Sequence, residues 1–130
     1  MKHTLKLLFL VTLLSAAALA QPVVDAVLHS ASYALPGMPN YGIPQGGIFT
    51  VFGRNLGPGG LKQVTAFPLL PNWEGITIKV TVDGTTVDAV PISYAAVNAA
   101  SSTQVSAILP SNTPNGDGTL VLSFNNQPSA

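Results

Sequence analysis

Gln45-Gly46-Gly47-Ile48-Phe49-Thr50-Val51-Phe52-Gly53-Arg54-Asn55-Leu56-Gly57 is the stretch whose reading decides the fold. Ile48 to Phe52 is a run of β-branched and aromatic residues bracketed by glycines, which reads as a strand with a sharp turn at each end. Gly46 and Gly47 permit backbone angles closed to other residues, as a tight turn into the strand requires. Ile48, Thr50 and Phe52 fall on one face, and Phe49 and Val51 on the other. Both faces are largely apolar, so the strand is expected to be central and covered on both sides. Gly53 allows a bend or bulge at its end. Asn55 tolerates the left-handed region, and Leu56 can then fold back onto the core.

The segments around it carry the same signature of short strands and tight turns. Upstream, Val23, Val24, Val27 and Leu28 mark a first strand within 21–33. The segment Leu35 to Pro44 is a loop, because its three prolines remove backbone donors. Downstream, Gly57 to Gly60 reads as a flexible turn, and Leu61 to Trp73 as a connection too rich in proline for regular pairing. Ile76 to Val82 alternates cleanly, with Ile76, Ile78, Val80 and Val82 inward. Asp83-Gly84 predicts a type I′ hairpin, and Thr85 to Val90 returns from it. Pro91 interrupts, which puts Ile92 to Tyr94 on an edge or past a bend.

Ala95 to Thr103 reads as a crossing loop or one helical turn. Gln104 to Leu109 is a strand stopped by Pro110, and Asn115 to Gly118 a hairpin turn. Thr119 to Phe124 is the last strand, with Leu120, Leu122 and Phe124 inward. Asn125 to Ala130 is expected to turn away.

The first twenty residues stand apart. Lys2, His3 and Lys6 precede the apolar run Leu7 to Leu14, and Ala18-Leu19-Ala20 is a small-x-small cleavage pattern. The run is shorter than the ~20 residues of a membrane span. The expectation is a cleaved signal peptide over 1–20, no membrane attachment afterwards, one domain over 21–130, and export to the periplasm or cell exterior.

Without the leader, Arg54, Lys62 and Lys79 face Asp25, Glu74, Asp83, Asp88 and Asp117, three positive charges against five negative. Such a balance lacks the basic footprint of a nucleic-acid binder. There is no cysteine, which removes disulfides, thiol nucleophiles and thiolate metal sites.

Few residues point to chemistry. Gly57, Gly59 and Gly60 lack the Lys-Ser/Thr and following helix of a phosphate loop. The loop 115–118 lacks the spaced acidic ligands of a calcium site. A Ser-His-Asp arrangement would have to recruit His29 with Asp25 or Asp88, and no Gly-x-Ser-x-Gly elbow is present. Neither catalysis nor a cofactor is expected. Met38, Tyr41, Trp73 and Tyr94 are the candidates for an interaction surface. Trp73 is expected to plug the edge of the core. The alternative makes Trp73, Tyr41 and Tyr94 stacking platforms for a carbohydrate.

The motif Gly46 to Leu56 resembles the hallmark of the IPT/TIG family of immunoglobulin-like domains. The wider order of segments is similar to a β-sandwich domain found at the C-terminus of secreted acidobacterial proteins. Val24-Asp25-Ala26, Ser30 to Tyr33, Ile43 to Phe49, Phe52 to Gly57, Phe67-Pro68-Leu69, Gly75-Ile76, Ile108-Leu109-Pro110 and Pro128-Ser129-Ala130 carry it. The resemblance implies an all-β, immunoglobulin-like antiparallel sandwich used for protein or surface interaction or as a spacer, with no catalytic residues. In that family another strand follows the position of Pro128 to Ala130. The fold is therefore expected to lack its last strand and to offer an edge for pairing with another chain. An unknown protein or a surface glycan is the expected partner.

Overall fold

The computed structural model describes residues 20–98 and 102–130. The expected signal peptide therefore lies outside the described residues, apart from Ala20. The described chain is all-β and antiparallel, with nine strands in one strongly curled sheet that folds into a sandwich. In chain order these are β1 (Val23–His29), β2 (Ile48–Arg54), β3 (Gly60–Gln63), β4 (Asn72–Trp73), β5 (Ile76–Val82), β6 (Thr85–Asn98), β7 (Ser102–Ile108), β8 (Gly118–Phe124) and β9 (Gln127–Pro128). The ladder runs β1-β2-β7-β6-β5-β8-β9, with β3 on β6 and β4 on β5.

The opening stretch is central, as its composition predicts, with β1 on one side and β7 on the other. Phe49 and Val51 are fully buried in the core. The other face is covered only in part, contrary to expectation. Ile48 is 42% exposed, and Phe52 is half-buried against Tyr33, ring centroids 6.1 Å apart. Thr50 is buried there because its hydroxyl lies 2.8 Å from Ser30 Oγ and 3.2 Å from Ser106 Oγ. This row of hydroxyls satisfies polar groups that apolar cover would leave unpaired.

Both turns of the stretch behave as the sequence implies. Gly46 N–H donates to Leu109 O and Leu109 N–H to Gly47 O, each at 2.9 Å, so the glycine pair prolongs the β2–β7 ladder. Asn55 has φ 56°, and Leu56 is fully buried. Gly53 faces a bulge in β1, where the register shifts between Val24 and Ala26. A Cβ on Gly53 would land on the Val23 carbonyl oxygen, so only glycine lets the two backbones meet there.

β6 is the element that makes two layers from one ladder. Its first half pairs with β5 through Thr85 to Ala89, and its second half with β7 and β3. Pro91 does not end the strand. It sits in a second bulge, between Pro91 and Ser93, where the strand changes sheet. Where β6 leaves β5, the two residues of β4 take its place against Thr77 and Ile76. Side chains from both layers meet between them: Phe49 and Val51 of β2, Val105 and Ala107 of β7, Tyr94 of β6, Ile76 and Ile78 of β5, and Leu122 of β8. Each of the Phe, Val, Ile and Leu side chains among them, when fully buried, stabilises the fold by about 1.5–3 kcal/mol.

Several local expectations are corrected. Leu61 to Trp73 is not wholly irregular, since Gly60–Gln63 pairs with β6 and Asn72–Trp73 with β5. β3 is exposed along its whole length, so it has no apolar alternation to betray it. Ala95 to Asn98 continues β6, and Ser102 and Thr103 already belong to β7; residues 99–101 lie outside the described part. The loop at Asn115 to Gly118 is not a hairpin turn, because β7 and β8 belong to different layers. It carries the chain across the sandwich. Asn125 and Asn126, with φ 50° and 65°, turn the chain back on itself so that β9 pairs with β8. Asp83 and Gly84, at φ 47° and 75°, form the expected hairpin turn.

Candidate functional site

The curled ladder almost closes into a barrel, and the seam lies between β1 and β8. At one end the seam is bridged. The chain beyond β9 runs between the two strands: Ser129 N–H donates to Leu122 O at 2.7 Å, and Ala130 N–H to Pro22 O at 3.2 Å. Leu122 N–H donates in turn to Ser129 Oγ at 3.3 Å, and Gln21 Nε2 donates to Pro128 O at 3.1 Å.

At the other end the seam opens into a groove of about 570 Å³. Its walls are Val24 to Val27 with His29 on β1 and Gly118 to Leu120 on β8. Core residues Phe49, Val80, Val82 and Leu109 line it as well, and the loops bearing Tyr41 and Asn115 border it.

The backbone phase of both walls follows from the bonds around them. Ser30 N–H donates to Ile48 O on β2. Alternation along β1 then directs Leu28 to β2, and Val27 and His29 away from it into the groove. Leu122 bonds outward to Ser129, so Leu120 and Gly118 also direct their N–H and C=O groups into the groove. Val27, Gly118 and Leu120 have no backbone partner on that side among the described residues, and neither has the His29 N–H, whereas the His29 carbonyl accepts from the Tyr33 N–H at 3.0 Å. The groove therefore has an apolar floor between two unsatisfied strand edges, the arrangement that accepts an added strand.

Charge on the rim is sparse. Asp25, the extra residue of the β1 bulge, is 3.6 Å from Arg54 Nη2, both half-exposed. Asp117 adds a second carboxylate. His29 Nδ1 is 3.3 Å from Ser32 Oγ, an exposed contact between neighbours in the chain. Among the described residues no three His, Asp or Glu side chains gather closely enough to hold a metal ion.

The four residues expected to form an interaction surface do not gather in one place. Tyr41 lines the groove, half-exposed, and Met38 is exposed in the same loop. Trp73 is half-buried and packs against the core, as a plug should. Tyr94 is 1% exposed, beneath Trp73 at a centroid distance of 5.7 Å and an angle of 53°. Its place in an exposed surface is thus corrected: the ring fills the core and its hydroxyl reaches Gly59 O at 3.4 Å. The sequence had no residue motif for the groove, because its chemistry is main-chain N–H and C=O.

Comparisons with protein-family models, with characterised proteins and with solved structures find no match for this chain.

Proposed function

We propose that this chain is an exported, non-catalytic β-sandwich module of the immunoglobulin-like, IPT/TIG type that engages other polypeptides by accepting a strand in the groove between β1 and β8. The observation that carries this reading is the pair of unpaired strand edges flanking an apolar floor. Main-chain hydrogen bonds supply affinity in that mode, and pockets for alternate side chains supply selectivity. The glycine-bounded strand β2, with Asn55 in the left-handed region and Leu56 in the core, supports the family assignment. The leader-like residues 1–20 support export.

A carbohydrate-binding module would need exposed aromatic rings in one plane. Burial of Tyr94 under a tilted Trp73 weighs against it. Amide chemical shifts during titration test the two readings. An extended, valine-rich peptide is expected to move Val27, His29, Gly118 and Leu120. Oligosaccharides that instead perturb the Trp73 indole, with the groove amides silent, would overturn the proposal.

A further inference from the structure

The sandwich begins one residue after the expected cleavage position. Ala18-Leu19-Ala20 is the small-x-small pattern that ends the leader. Ala20 and Gln21 are exposed and lie outside every strand, whereas Pro22 is fully buried and β1 starts at Val23. The Pro22 carbonyl accepts the Ala130 N–H at 3.2 Å, so Pro22 is the first residue seated in the fold. A protease that cuts after Ala20 therefore meets chain outside the ladder and takes nothing from the core. A cut a few residues later would remove Pro22 and the start of β1. The residue made terminal by the cut after Ala20 is a glutamine, exposed and free of core packing.

We infer that Gln21 is a modification site: once the leader is removed it closes to a pyroglutamyl residue, and the mature chain carries an uncharged N-terminus. This rests on the export reading and goes beyond it. The α-amine nitrogen of Gln21 attacks the side-chain carbonyl carbon Cδ of the same residue. The N–Cδ bond forms, the Cδ–Nε2 bond breaks, and Nε2 leaves as ammonia, taking a proton from the amine. Nothing is oxidised or reduced, and no second reactant is consumed. Both reacting groups are held on one residue, which makes the step intramolecular.

The place of Gln21 in the fold decides what the change does. Its Nε2 donates to Pro128 O at 3.1 Å, next to the Ser129 and Ala130 bonds that bridge the seam. The nitrogen that leaves is the one that makes this contact. The lactam ring keeps one N–H, that of the former amine, so a donor stays on the same residue at the bridged end. What disappears is an α-ammonium group, whose ordinary pKa is about 8. Arg54, Lys62 and Lys79 are then the only fixed cations of the mature chain.

The test expresses the full chain, leader included, in an exporting bacterial host, beside Gln21→Glu, whose side chain has no amide to lose. Intact and fragment masses are read on the product. The parent is expected to begin at residue 21 and to be lighter by one ammonia, with the loss confined to Gln21. The variant is expected to begin at the same residue with its full mass. An amine reagent used near neutral pH, where an α-amine is far less protonated than a lysine, should label the N-terminus of the variant and not that of the parent.

A parent cut after Ala20 that keeps a free, labelled Gln21 amine overturns this inference and leaves export standing. So does a cut at any other bond, which makes a different residue terminal. A product that retains its whole leader overturns both.

Discussion

The two ends of the β1–β8 seam are built from the same pair of strands, yet one is bridged and the other is open. At the bridged end, residues 127–130 use the outward groups of Leu122 and Pro22. At the open end, the equivalent groups of Leu120, Gly118 and Val27 and the His29 N–H have no backbone partner among the described residues, while the His29 carbonyl is taken by Tyr33 N–H. The strand edges are alike in chemistry, and only the presence of a bridging segment differs. The lesson is that the walls of the groove are main-chain N–H and C=O groups, which sets what fits between them more narrowly than an apolar hollow would.

The comparison can be broken most severely from beneath. Leu122→Ala removes a fully buried side chain from the strand that holds the bridge, and is expected to cost about 2–5 kcal/mol, read as a lower midpoint in urea. Gly53→Ala acts from the other wall. Its methyl group would meet the Val23 carbonyl, forcing β1 from β2, at an expected cost of about 1–3 kcal/mol. Ser129→Ala is more local. It leaves the Leu122 N–H without its hydroxyl acceptor, costs about 1 kcal/mol, and should speed hydrogen exchange at Leu122 while leaving Val27 and Leu120 unchanged.

The smallest effect is expected far from the seam. Lys62 Nζ is 2.8 Å from Glu74 Oε2, tying β3 to the turn after β4. The hydrogen bond to Glu74, and then its charge, raise the Lys62 pKa above 10.5. A raised lysine pKa stabilises the fold below the unfolded-state value and loses that contribution as pH rises through the folded one. Lys62→Met should therefore lower the Tm slightly at neutral pH, and the difference from the parent should vanish at strongly alkaline pH. The seam should be untouched throughout.

Where side chains decided structure, the sequence was a good guide. The alternation of Ile76 to Val82, the Asp83-Gly84 turn, and burial of Val105 and Ala107 on one face of β7 with Leu109 just beyond its end are all as their patterns imply. Reading failed where backbone pairing proceeds without an apolar signal. β3 is fully exposed, and the end of β6, Ala95-Ala96-Val97-Asn98, has little bulk and no alternation. Pro91 marks the bulge past which Ile92 to Tyr94 continue β6 in the other layer, one of the two places its pattern allowed. The signals that could have found β4 and β9 were the turns beside them. Glu74-Gly75 and Asn125-Asn126 both take positive φ at two successive residues, like the Asp83-Gly84 turn. The groove was illegible because register and edge pairing, which no single residue encodes, create it.

β6 has a consequence of its own. One continuous fourteen-residue strand is hydrogen-bonded into both layers, so neither layer can slide over the other without tearing its own ladder. Tension applied at one face of the domain is carried to the other along covalent backbone through Pro91, and reaches the side-chain core only secondarily. Whatever pulls on a strand seated between β1 and β8 pulls on a girder shared by both walls of the sandwich.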